Sequence, residues 1–153
     1  MQKNSIAFVT TSKGRLHHIQ QTLPRIVREN PDQIIVVDYA CPQGTGDWVA
    51  NDYPQVQVVR VNGDPGFCLP LARNLGSQTV RADWIFFIDA DILVQPGLVN
   101  WLRANLKSGG FYRAGRIGGK RDLETYGSFV CAREDFERIG RYDEAFRGWG
   151  GRG

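Results

Sequence analysis

Strand-length runs of unbroken apolar residues, separated by stretches with helical periodicity, constrain the fold of this chain more than any other feature. Ile34-Ile35-Val36-Val37 and Trp84-Ile85-Phe86-Phe87-Ile88 are continuous rather than alternating. Such strands are covered on both faces, as in parallel sheets whose crossover connections lay helices on each side. Strands are predicted over residues 5–10, 33–37, 56–61 and from Trp84 onward. Between them lie predicted helices from near Arg15 through Leu16, Ile19 and Leu23, over 47–51, over 69–79, and from Pro96 through Leu98, Leu102 and Leu106. Pro24 lacks a backbone donor, so a kink or a second short helix to Arg28 is expected there. Past Gly109-Gly110 the periodicity fades, although 127–132 reads as a strand and 133–139 as a helix. The expected fold is α/β: a single Rossmann-like domain over residues 1–153, with a mostly parallel central sheet and helices on both faces.

The bulk properties narrow the function. At 153 residues, with 42% hydrophobic and 23% charged side chains, the chain can bury a real core and is neither disordered nor collagen-like. No run of about 18 apolar residues offers a membrane span, and Met1-Gln2-Lys3-Asn4 leads into a strand rather than a signal-peptide core, so a cytoplasmic location is expected. Cys41, Cys68 and Cys131 are odd in number and widely spaced, which argues against a disulfide framework or a zinc site. Cys41 and Cys68 are read as bystanders, as are the adjacent His17 and His18, expected to point in different directions from one helix. The formal charge of +3 is uneven: residues 1–100 carry 8 basic against 9 acidic side chains, residues 101–153 carry 11 against 7. Arg113, Arg116, Lys120 and Arg121, among Gly115, Gly118 and Gly119, read as a mobile basic loop that would attract phosphate, nucleic acid or an anionic membrane surface.

The apolar run from Trp84 ends in two carboxylates, Asp89 and Asp91, two residues apart. In an extended segment such residues share a side. Two carboxylates brought together repel unless a cation lies between them, and hard oxygen ligands suit Mg2+ or Mn2+ over zinc. Ligands of open α/β sheets bind beyond the carboxyl ends of the strands, so Thr11, Arg15, Asp38, Asp89 and Asp91 are candidates for one site. Asp38, at the end of its strand, could accept from a ribose hydroxyl or a base N–H, or form a turn with Tyr39 and Ala40. Arg73 sits among Leu69, Leu71, Ala72 and Leu75 and there requires a carboxylate partner. Gly148-Trp149-Gly150-Gly151 places an indole amid glycines, a combination that can stack on a sugar face.

Five elements in order resemble the GT-A fold glycosyltransferases of family 2, in particular the branch related to galactosyltransferases and chondroitin-type polymerases. They are Val9-Thr10-Thr11-Ser12-Lys13-Gly14-Arg15, Val36-Val37-Asp38-Tyr39, Ala72-Arg73-Asn74, Phe87-Ile88-Asp89-Ala90-Asp91 and the stretch Arg141-Tyr142-Asp143-Glu144-Ala145-Phe146-Arg147-Gly148-Trp149-Gly150-Gly151. The resemblance implies a metal-dependent, inverting transfer of a sugar from a UDP-sugar to a saccharide or other hydroxyl acceptor. On the matching positions, Thr10, Thr11, Arg15, Asp38, Arg73 and Asp89 are the expected nucleotide-sugar contacts. Asp91, with Asp89, is the expected ligand of Mn2+ or Mg2+, and Trp149, Gly150 and Gly151 are expected against acceptor or donor sugar. Nucleic acid is not an expected partner, whereas peripheral membrane contact is compatible with the basic C-terminal excess. The branch follows its Gly-Trp-Gly-Gly element with an acidic pair that supplies the general base, and continues further. This chain has Arg152-Gly153, which cannot deprotonate a hydroxyl, so the C-terminal part reads as truncated and the base is unassigned, with Asp143 and Glu144 the nearby acids. Two alternatives therefore stand beside the transferase: a nucleotide-sugar-binding module or fragment without turnover, and a metal-dependent nucleotidyltransferase, whose Gly-rich basic N-terminal signature is missing.

Overall fold

In a computed structural model, residues 4–117 and 119–148 are described. Six strands form one sheet: β1 (Ile6–Ser12), β2 (Gln33–Tyr39), β3 (Gln57–Val61), β4 (Trp84–Phe87), β5 (Phe111–Arg113) and β8 (Phe129–Ala132). Their order is β3-β2-β1-β4-β8-β5. The first four run parallel, while β8 is antiparallel to both β4 and β5. Two further strands, β6 (Arg116–Ile117) and β7 (Lys120–Arg121), pair with each other in the stretch read as a basic loop. Among the described residues no helix is long and apolar enough to cross a membrane.

The continuous apolar runs are explained by two cores, one on each face. On one side Ile6, Phe8, Ile34, Val36 and Trp84 pack against Ile19, Leu23 and Ile26 of α1 (Leu16–Arg28), Val49 of α2 (Thr45–Asp52) and Val99 and Leu102 of α4 (Leu98–Asn105). On the other, Ala7, Val9, Ile35, Val37, Ile85 and Phe87 meet Ala72 of α3 (Leu69–Ser77) and Phe136 of α5 (Arg133–Arg138). Each fully buried aliphatic or aromatic side chain contributes about 1.5–3 kcal/mol. Helix α3 lies so close that a Cβ on Gly76 would stand 2.7 Å from Val9 Cγ1 and 2.9 Å from Val37 Cγ2.

Three expectations are corrected. Of the two alternatives at Pro24 the second short helix is absent, since α1 continues through Pro24 to Arg28; the carbonyl that Pro24 cannot bond belongs to Gln20, on the exposed side, where water can serve it. His17 and His18 do not diverge, since their ring centroids lie 4.0 Å apart. Asp89 and Asp91 do not belong to an extended strand: β4 stops at Phe87, and a turn follows in which Ile92 N–H donates to Asp89 O at 3.2 Å.

Candidate functional site

The sheet order reverses direction between β1 and β4, because the chain passes from β1 outward to β3 and returns to the far side of β1. At such a switch point the connections leave in opposite directions and open a crevice beyond the strand ends. Here an open cleft of about 720 Å3 forms, with Thr11 from β1, Arg15 from the following loop, Arg73 from α3, and Asp89 and Asp91 from the turn after β4 in its lining. Five of the residues singled out by sequence thus converge in one volume.

The turn bearing the carboxylates is fixed from three sides. Thr22 of α1 donates its hydroxyl to Ala90 O at 3.0 Å. The backbone N–H of Asp89 donates to Ser128 Oγ at 3.0 Å. Arg73, 4% exposed, donates to Asp89 Oδ1 at 3.1 Å, to Gly127 O at 2.9 Å and to the Tyr142 hydroxyl at 2.8 Å. Its guanidinium also lies over the rings of Phe87, Phe129 and Tyr142 at 5.4–5.8 Å. Burial pushes the Asp89 carboxyl above its usual range, Arg73 pulls it back, the neighbouring Asp91 charge raises it, and Ser128 lowers it.

Gly127 carries no warning in the sequence. A Cβ on Gly127 would sit 2.6 Å from Asp89 Oδ2, so the missing side chain is what admits the carboxylate. Asn74 accepts the Tyr142 N–H at 3.0 Å and donates to Tyr142 O at 3.0 Å and to Glu144 Oε1 at 2.9 Å. It thereby clamps the 142–144 segment onto α3. Beyond it, Gly148 N–H donates to Phe67 O and Leu69 N–H to Gly148 O, each at 2.8 Å. The Ala72-Arg73-Asn74 element and the last family element, which holds Tyr142, Glu144 and Gly148, were the clues to this wall.

Other expected residues lie elsewhere. Asp38 is buried inside β2, where it accepts the N–H groups of Cys41 at 2.8 Å and Gly46 at 2.9 Å, with Arg60 at 3.6 Å. Thr10 is buried on β1, and its hydroxyl has no partner among the described residues. Neither lines the cleft. Asp143 lines it and accepts the Ala145 N–H at 2.9 Å, whereas Glu144 is held by Asn74 outside it. Trp149, Gly150, Gly151 and Arg152 fall outside the described residues.

Among the described residues no group of three His, Cys, Asp or Glu side chains could enclose a metal. The donor set present, two carboxylates with one oxygen of Asp89 on Arg73 and Asp91 exposed, fits a hard cation that completes its shell with ligand oxygens and water.

Comparison with known proteins agrees with this fold. No curated protein matches the chain in sequence. Among solved structures it resembles the mannosyltransferase PcManGT from Pyrobaculum calidifontis in complex with GDP-Man and Mn2+, with a TM-score of 0.72 and 18% identity over 94% of this chain and 49% of that one. It also resembles S. aureus TarS 1–349, with a TM-score of 0.72 and 11% identity over 94% and 52%. The same protein in complex with UDP-GlcNAc gives 0.68 and 10% over 90% and 48%. The chain spans about half the length of these structures, and at such identities the likeness is one of fold. Residues 8–147 match Glycosyl transferase family 2, and the chain belongs to that family.

Proposed function

We propose that this chain supplies the donor-binding half of a metal-dependent glycosyltransferase, taking the sugar of a nucleoside diphosphate sugar, UDP-linked in the first instance, to a hydroxyl acceptor with inversion. The observation that carries the reading is the convergence of Thr11, Arg15, Arg73, Asp89 and Asp91 in one cleft at the strand-order switch point. Thr11 and Arg15 are assigned to the nucleotide, and Asp91, exposed and without an ion pair among the described residues, to the cation. Asp89 is oriented by Arg73 and Ser128 and lies beside both. Bound there, Mn2+ or Mg2+ would act as a Lewis acid on the departing diphosphate. Asp38 is assigned to holding the loop after β2, since both its oxygens already accept backbone N–H groups. The galactosyltransferase and chondroitin-polymerase branch remains our closer placement, supported by the five ordered sequence elements.

A ligand that binds the folded state alone raises the melting temperature, by about 2.7 kcal/mol of stability at a hundredfold excess over Kd. UDP with Mn2+ is expected to raise it, and Asp91→Asn to remove most of the metal-dependent part. An unchanged metal-dependent shift in Asp91→Asn would remove Asp91 from the metal site. Turnover separates transferase from inert binding module: among the acids near the expected base position only Asp143 lines the cleft, so release of free sugar from UDP-sugar that is lost in Asp143→Asn assigns it the base.

A further inference from the structure

Beside the cleft lies a second cavity, a groove of about 550 Å3 whose lining includes the exposed Phe111 and Ile139 with Cys131 and Phe136. The two cavities share four described lining residues, Arg113, Phe129, Arg141 and Tyr142. The charged ones are both arginines. Neither has a carboxylate at ion-pair distance among the described residues. Asp135, in the groove, is paired with Arg138, and Glu124 and Asp143 line only the cleft.

Both guanidinium-bearing residues are set in place by features that a solvated surface arginine does not need. Arg113 is stacked 4.1 Å above the Tyr126 ring and 5.5 Å from that of Phe111. Arg141 occupies the left-handed backbone region at φ 67° directly after Gly140 at 89°, where its N–H closes α5 by donating to Phe136 O at 3.0 Å. That position past a helix end favours Gly or Asn, so an arginine there runs against the local preference. Planar guanidinium groups recognise carboxylate and phosphate in a two-pronged manner.

We propose that Arg113 and Arg141 form an acceptor subsite that selects an acceptor sugar bearing an oxyanion, a carboxylate or a phosphate, at the junction of cleft and groove. This rests on the transferase reading, because it presumes that the other end of the cleft holds the donor. The acceptor's anionic group anchors at the two arginines, and its neutral part lies along the junction towards the cleft. The anion also compensates positive charge for which neither arginine has a carboxylate partner among the described residues.

The test titrates the chain with methyl β-glucuronide, glucose 6-phosphate and the neutral methyl β-glucoside, each with and without UDP and Mn2+. Binding of an anionic probe about tenfold or more tighter than the glucoside is expected, and the two anionic probes tell carboxylate from phosphate. Arg113→Gln and Arg141→Gln should each erase most of that preference. Arg141→Gly should erase it as well while holding or raising the melting temperature, which a merely structural arginine would not do. Equal binding of all three probes, no binding of any, or a preference that survives both substitutions overturns the proposal. So does a loss of UDP–Mn2+ affinity of more than about tenfold in these variants, which would make the arginines donor clamps. Failure of UDP–Mn2+ to bind the unaltered chain would instead overturn the transferase reading, and the preference measured without nucleotide would stand apart from it.

Discussion

The two walls of the cleft are built by different physics. The wall of β1, β4 and the turn at Asp89–Asp91 rests on parallel strands covered on both faces, and its position is set by apolar burial. The opposite wall, with Arg113, Tyr126, Gly127 and Tyr142, comes from short antiparallel strands and turns. It is fastened largely by polar contacts from Arg73 and Asn74 and by the rings packed around Phe87. The first wall is specified by patterning along the chain, the second by a few long-range partners. A site made from both can keep its carboxylate end fixed while its far side varies.

The largest test of this contrast is the residue that joins the walls. Arg73→Met leaves the Asp89 carboxylate without its guanidinium and frees Gly127 O and Tyr142, and breaking a buried pair this way costs about 3–5 kcal/mol. Urea unfolding should show that loss, and a change under about 1 kcal/mol would mean the walls are held independently. Next in size is Gly127→Ala, whose Cβ would press on Asp89 Oδ2 at 2.6 Å while Arg73 restrains the other oxygen. Overpacking of this kind costs about 1–3 kcal/mol, and UDP–Mn2+ affinity should fall with it. Retained affinity would show that Asp89 need not hold its place.

The smallest effect compares a thiol from each region. Burial pushes Cys41 up, but the Thr45 hydroxyl and the N–H groups of Gln43, Gly14 and Thr45 outweigh it and bring its pKa down to about 7. Cys131 has no such donors among the described residues; burial and then Asp135 push it up to about 12, against a lowering by Arg73. For Cys41 the native state binds fewer protons than the unfolded state, so stability rises with pH from about 7 towards the ordinary thiol value of about 8.5. For Cys131 the native state holds its proton longer, so stability declines above about 8.5. Iodoacetamide labelling followed by mass spectrometry should show Cys41 alkylation rising through about pH 7 and Cys131 unreactive well above it. Equal pH profiles would contradict the difference in environment.

What the sequence disclosed follows the same division. Strands β1 to β4 and helices α1 to α4 appear where their apolar runs and periodicity predict them, because buried strands and amphipathic helices write their environment into consecutive residues. The carboxylate pair was legible for the same reason: it interrupts such a run. Strand β5 and the β6–β7 pair were not legible, since two or three residues of Phe-Tyr-Arg or Lys-Arg carry no period and pair only when β8 or a turn presents an edge. Gly127 reads as one glycine among 18; its role appears only when Asp89 is folded against it. Asp38 stayed open between a ligand contact and a turn because its acceptor role depends on a loop that returns Cys41 and Gly46 over it.

A divalent cation and a diphosphate are proposed to meet at Asp91 in the switch-point cleft. A crystal structure with UDP and Mn2+, with data collected for the anomalous signal of manganese, tests it most directly. An anomalous peak is expected at about 2.0–2.6 Å from an Asp91 oxygen, with the diphosphate bridged to it and the nucleoside towards Thr11 and Arg15. A nucleotide bound outside that cleft, or a manganese peak away from Asp91, would contradict it.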